Sequence, residues 1–259
     1  MANHGGLGAL LRDRLPFLRW STIRFALGGA HLLRTGQVGD GREAALRDHV
    51  LGHATAGDPE SVLAAIDDFA RNRSILMNVG DEKGLLLDAA VRRAEPKLLL
   101  ELGTYCGYSA VRAGRLMPAR ARLVSVEASP ANAEIGRAVI EHAGLADRVS
   151  VVVGKIGDGG ATVQRLIDEY GFTSGSVDFA FIDHWKTEYL PDLETIISAD
   201  WLHPGSIVVA DNVKMPGAPA YRRYMREQEG ISWRTIEHKT HVEYQSLLTD
   251  LVLESEYLG

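Results

Sequence analysis

Five short apolar runs, near residues 97–102, 122–127, 149–153, 177–183 and 206–211, alternate with stretches of helical character near 107–117, 131–143, 158–170, 187–199 and 218–228. Strands that are apolar throughout must be covered on both faces. Helices between successive strands supply that cover, so the pattern specifies an α/β fold around a mostly parallel sheet. Two more strand-like segments, near 231–237 and 243–252, predict an antiparallel pair at one edge. Ahead of the first strand, Asp58 stands as an N-cap before Pro59, and Val62, Leu63, Ile66 and Phe69 recur at helical spacing, which predicts a helix over 59–72. A second helix is expected over 81–94. With no internal repeat and no linker, the chain reads as one domain, 37–259, preceded by an arm, 1–36.

The charge is unevenly divided between these parts. Residues 1–36 hold Arg12, Arg14, Arg19, Arg24 and Arg34 against Asp13, a balance of +4 that leaves −10 on the remainder of a chain whose total is −6. An acidic body argues against nucleic acid as a partner, since phosphates are neutralised by a basic surface. In the arm, the charge-free stretch 25–33 has nine residues, against the roughly 20 that a membrane span needs. The arm is therefore expected to be an amphipathic element, packed on its own domain or in peripheral contact with an acidic lipid surface. The single cysteine, Cys106, allows neither an intrachain disulfide nor a cysteine-based zinc site, and it suits a reducing, cytoplasmic setting.

In doubly wound folds, ligands bind beyond the carboxyl ends of the strands. The first strand ends in Glu101-Leu102-Gly103, and a turn through Tyr105, Cys106 and Gly107 leads to Tyr108 and Ser109 at a helix start. Gly103 and Gly107 let backbone approach a ligand, and the helix start offers unpaired amides. The spacing is not G-x-G-x-x-G, so the turn alone reads equally as a simple tight turn. Glu127 ends the second strand 20 residues beyond Gly107, where a carboxylate can accept hydrogen bonds from the hydroxyls of a ribose. Turn and acid together predict a nucleoside site. The fourth strand ends in Asp183-His184-Trp185-Lys186 and the fifth in Asp211-Asn212. Asp183, Asp211 and Asn212 offer hard oxygen ligands suited to Mg²⁺. Lys186, three residues after Asp183, can lie on the same side of that turn and act as a base.

The stretches LMNVGDEKG, LLLELGTYCGYSAVRAGRL, VDFAFIDHWKTEYLPDLE and IVVADNVKMPGAPA resemble the catechol O-methyltransferase family, from about residue 40 to the end of the chain. GYSAVR and DHWK are the most specific strings. The resemblance implies a Rossmann-like class I methyltransferase fold, with seven strands, the last antiparallel, and helices on both faces. It also implies S-adenosylmethionine as methyl donor, Mg²⁺, a small-molecule diphenol as acceptor, and a monomer or weak dimer. It places metal ligands at Asp183, Asp211 and Asn212, the general base at Lys186, and the carboxylate that holds the second catechol hydroxyl at Glu243. Glu127 matches the ribose acid, followed by Ala128. Met77, Val79, Glu101, Gly103, Tyr105, Tyr108, Ser109, Asp183, His184 and Trp185 match positions around the rest of the donor. The implied acceptor pocket comprises Ile75, Met77, Trp185, Lys186, Asn212, Pro216 and Glu243.

The chain departs from the family at three places. Ile75 stands where the vertebrate enzymes have a tryptophan wall, Ile156-Gly157 replaces a Ser-Gln pair near the adenine, and Ala128 replaces a larger side chain. These changes admit a wider, flatter acceptor, so a second reading keeps the chemistry but takes a larger ortho-dihydroxylated metabolite or a caffeoyl-type acceptor. A nicotinamide-dependent oxidoreductase would share the glycine turn and the acid after the second strand, but would have no need of Asp183, Asp211 and Asn212. Cys106 reads as a small packing residue of the turn.

Overall fold

The computed structural model describes residues 28–245 and 247–259. It contains β1 (Leu98–Leu102), β2 (Arg122–Glu127), β3 (Val149–Val153), β4 (Val177–Ile182), β5 (Leu202–Ala210), β6 (Trp233–His241) and β7 (Thr249–Tyr257) in one sheet of order β3-β2-β1-β4-β5-β7-β6. The first five strands pair in parallel, while β7 enters between β5 and β6 and runs antiparallel to both. The order turns back on itself at the β1/β4 junction, which opens a crevice at the carboxyl ends of these two strands.

Side chains alternate across each strand and so build two cores. Leu99, Leu123, Phe179 and Phe181 face a layer formed by α2 (Arg42–His53), α3 (Pro59–Asn72), α4 (Gly80–Ala94), α5 (Tyr108–Gly114) and α6 (Pro130–His142). Leu100, Leu102, Val126 and Ile182 face the other layer, α7 (Ala161–Tyr170), α8 (Tyr189–Ser198) and α9 (Pro219–Glu227). Both faces are covered, as all-apolar strands require. The start of α3 is as expected, because Asp58 Oδ1 accepts from Glu60 N at 3.0 Å and Ser61 N at 3.2 Å with Pro59 in the first turn.

Two expectations shift. The tail strands, expected near 231–237 and 243–252, lie at Trp233–His241 and Thr249–Tyr257. Gln245 draws the chain between them into a tight loop. Its Oε1 accepts from Leu247 N and Leu248 N, both at 2.7 Å, and its Nε2 donates to the carbonyls of Val242 and Leu248. Glu254 and Ser255, beyond the expected end of the last strand, are both buried because β7 lies inside the sheet, where Glu254 pairs with His238 and Arg93. The fifth strand also begins earlier than expected, at Leu202, ahead of a register shift between Val177 and Phe179 on its neighbour.

Of the arm, 28–36 is described. It includes the short helix α1 (Gly29–Thr35), and the carbonyl of Gly36 accepts from Asn132 Nδ2 of α6 at 2.9 Å. The rest of the arm, with its amphipathic reading, lies outside the described residues. Among the described residues no helix is long and apolar enough to cross a membrane.

A buried charge cluster joins α4 to α5. Arg112 forks onto Asp88 at 2.9 and 3.0 Å, Arg115 Nη2 reaches the same carboxylate at 2.7 Å, and a Cβ on Gly84 would meet the Arg112 guanidinium at 2.5 Å. Asp88→Ala strips two arginines of their shared partner. The expected loss is about 3 kcal/mol, read from the denaturant midpoint at constant slope.

Candidate active site

Strand ends and one loop bring acids and lysines together at the carboxyl edge of the sheet. Lys186, in the turn after β4, donates from Nζ to Asp183 Oδ1 at 2.9 Å, to Asn212 Oδ1 at 3.2 Å and to the Tyr189 hydroxyl at 2.5 Å. The expected base and two expected metal ligands thus share one cluster. Tyr189 donates in turn to the Asp211 carbonyl at 3.0 Å, and burial pushes its pKa well up, so it remains a neutral phenol. Asn212 sits at φ +53°, a left-handed conformation that asparagine tolerates better than most residues. That twist lets its Nδ2 donate to Glu243 Oε1 at 2.8 Å and Asp250 Oδ2 at 2.9 Å.

Asp211 is fully buried. Its Oδ1 accepts from Asn212 N at 2.7 Å and pairs with Lys83 Nζ at 2.7 Å, whereas Oδ2 has no partner among the described residues. Burial pushes the Asp211 carboxyl up, with Asp183 and Glu243 adding to the rise and Lys83 opposing it. Lys83 also contacts Glu243 Oε1 and, at 3.1 Å, Asp250 Oδ2. Burial alone would lower its pKa, but these three carboxylates hold it above the ordinary lysine value. Asp250 Oδ1 accepts from Met215 N at 2.9 Å and Leu251 N at 2.8 Å, and so anchors the π-helical turn Val213–Gly217 that contains Pro216.

Sequence reasoning missed Lys83 and Asp250. A signal for Lys83 existed, since residues 83, 87 and 91 share the buried face of α4, where an unpaired lysine is not tolerated. Asp250 sat inside a stretch read as continuous strand.

The residues expected to hold a nucleoside gather around the β1 turn. Gly103, at φ +100°, passes so close to β4 that a Cβ would lie 2.5 Å from the Asp183 carbonyl oxygen. Glu127 accepts from Thr104 N at 3.1 Å and Tyr105 N at 2.8 Å through Oε2, and from Ser129 N at 2.8 Å through Oε1. The Asn132 side chain also lies within hydrogen-bonding reach of this carboxylate. Glu101 is buried and accepts from Ser125, and burial pushes its carboxyl up to about 7. The Tyr105 hydroxyl donates to Glu43 of α2 at 3.1 Å, and that of Tyr108 accepts from Arg112 at 2.9 Å. Ser109 and Val79 are buried at the starts of α5 and α4, with Met77 half-buried just before the latter. His184 pairs with Asp192 at 2.9 Å and stacks on Tyr189, while His184 Nδ1 and Asp192 Oδ1 have no partner. A Cβ on Gly157 would lie 3.5 Å from that Asp192 oxygen. Ala128 and Trp185 are exposed, and the carbonyl of Ile75 is held by Arg42 at 2.6 Å.

The O-methyltransferase family matches residues 54–229. A protein of Mycobacterium tuberculosis named as a probable O-methyltransferase is 62% identical over 234 residues, 90% of this chain and 100% of that one. Catechol O-methyltransferase B of Danio rerio is 44% identical over 207 residues, 80% of this chain and 75% of its own. In fold, the chain is similar to the O-methyltransferase TomG of Streptomyces achromogenes, solved with S-adenosylmethionine, at a TM-score of 0.63 and 21% identity over 76% of this chain and 89% of that one.

Glu101 yields a pH test. Its folded pKa, about 7, lies above the ordinary 4.5, so its contribution to stability is complete below about 4.5 and is lost as pH rises through 7. Glu101→Gln should therefore gain on the wild type between pH 4.5 and 7 and level off above. A difference in denaturation midpoint that stays flat over that window would show a carboxylate ionised throughout.

Proposed function

The chain belongs to the O-methyltransferase family, and on that premise we propose that it transfers the methyl group of S-adenosylmethionine to one hydroxyl of a catechol held beside Mg²⁺. The observation that carries this reading is the cluster around Lys186 Nζ, which gathers oxygens of Asp183 and Asn212 next to the partnerless Asp211 Oδ2. The residues fit a dication. Among the described residues, the cations paired with Asp183, Asp211, Glu243 and Asp250 are Lys83 and Lys186, so two negative charges are left over when all are ionised. Hard oxygen donors and a surplus of two charges suit Mg²⁺ held by Asp183, Asp211 and Asn212.

Bound there, the ion would supply the Lewis-acid charge that acidifies a diphenol hydroxyl. The donor would supply an electrophilic methyl group on a sulfonium. With the dication offsetting the acidic charge, Lys186 would give up its ammonium proton, and as the neutral amine its Nζ would take the proton of the reacting hydroxyl. Glu243, with Oε1 engaged by Lys83 and Asn212, offers Oε2 to the second hydroxyl. Glu127 accepts from a ribose hydroxyl. Where Ile156-Gly157 removes polar side chains, Asp192 Oδ1 and His184 Nδ1 stand ready for the adenine edge. The rate gain comes mainly from holding oxygen, methyl carbon and sulfur in line.

The larger-acceptor reading is favoured by one feature: Ile75 is no aromatic wall, while Trp185 and Met215, 51% and 43% exposed, offer apolar surface beside the site. A cytoplasmic setting, a monomer or weak dimer, and an arm 1–36 that packs on the domain or touches membrane belong to the same proposal.

Lys186→Ala should lower methyl transfer to a catechol about 10²- to 10⁴-fold, and Asp183→Ala should abolish it, both with unchanged circular dichroism. Full activity in either variant, or in excess chelator, would sink the mechanism. Product analysis across catechols of increasing size, with a caffeoyl ester at the upper end, separates the two acceptor classes. Preference for small catechols would remove the larger-acceptor reading.

A further inference from the structure

Lys83 occupies an unusual place for a lysine. Its Nζ has no exposed surface and lies among carboxylate oxygens from three other segments: Asp211 Oδ1 at the end of β5 (2.7 Å), Glu243 Oε1 in the β6–β7 loop, and Asp250 Oδ2 in β7 (3.1 Å). An ammonium has three N–H donors, and here each meets one carboxylate. These three residues bring ligand oxygens within 4.8 Å of one another. That is the spacing of a divalent ion's coordination sphere, whose oxygens lie about 2.0–2.6 Å from the metal and so no more than roughly 5 Å apart. The trio would be a metal site if its centre were not filled.

We infer that Lys83 is a fixed internal cation, which takes the place of a second divalent ion among Asp211, Glu243 and Asp250 and so limits the pocket to one metal. The inference rests on the Mg²⁺ reading given above. The remaining oxygens show what the lysine achieves. Asp250 Oδ1 is engaged by the amides of Met215 and Leu251, and Asp211 Oδ1 by both Lys83 and Asn212 N. One Asp211 oxygen is thus committed to Lys83 and the Asn212 amide, which leaves the other, without a partner among the described residues, for the metal. Glu243 is likewise pinned through Oε1, which leaves Oε2 for the acceptor. With its side chain sealed from solvent and its partners all carboxylates of this chain, Lys83 is assigned as a positioning residue.

Titration of the full chain with Mn²⁺, followed by paramagnetic resonance, counts the ions directly. The wild type should bind one Mn²⁺, Lys83→Met two, and the double variant Lys83→Met with Asp250→Asn one again, because the vacated site has lost a ligand. A Lys83→Met protein that binds no more Mn²⁺ than the wild type overturns the inference. A wild type that binds none overturns the Mg²⁺ reading instead, and the role of Lys83 is then read from whether the variant binds one ion more. If Lys83→Met is too unstable to purify without metal, thermal unfolding gives the same answer. Mn²⁺ should raise the Tm of the variant by several degrees more than that of the wild type, and equal shifts overturn the inference.

Discussion

A sheet whose strands end in acids must bury negative charge, and the arrangement of this molecule's working edge follows from how that charge is compensated. Asp183, Asp211, Glu243 and Asp250 come from four separate segments, and in a low-dielectric site they would repel one another unless cations held them. Lys83 takes three of them and Lys186 takes the fourth. The two lysines are differently placed. Lys83 is sealed in the protein with every donor engaged, whereas the Lys186 side chain is 17% exposed and keeps a route to a ligand. One is confined to holding the carboxylates, and the other can reach solvent.

The same compensation ties the site to the fold. Lys83 projects from α4, so the helix that precedes β1 is locked to the antiparallel pair at the far end of the chain through Glu243 and Asp250. Asp250 continues the link into the turn Val213–Gly217 through Met215 N, so that turn moves only if the ion cluster moves. Gly103 lets β1 and β4 close to within a distance that any side chain would forbid, and Glu127 fastens the resulting turn through two backbone amides while also accepting from Ser129 N beyond β2. The pocket is therefore preorganised by buried polar contacts whose loss would leave unsatisfied charge or amide groups.

Much of this was legible beforehand because it rests on local rules. Apolar runs of strand length separated by helical stretches specify a covered parallel sheet, and Asp58-Pro59 marks a helix start by the geometry of its own backbone. The clustering of Asp183, Lys186 and Asn212 was also legible, since residues at the carboxyl ends of adjacent strands are neighbours once the sheet order is known. The tail was less legible. A buried Glu254 opposes the hydrophobic pattern and is stabilised by His238 and Arg93, partners that are remote in sequence.

The sequence by itself determined the class of fold, the edge of the sheet where chemistry occurs and the residue types available there, because periodicity and strand-end positions are local properties. Only the tertiary structure decided which charges meet. Lys83 lies 128, 160 and 167 residues from its three carboxylates, and no local pattern carries information over such separations. The insertion of β7 between β5 and β6 brings Glu243 and Asp250 to the site, and burial there turns an ordinary helix lysine into its fixed cation.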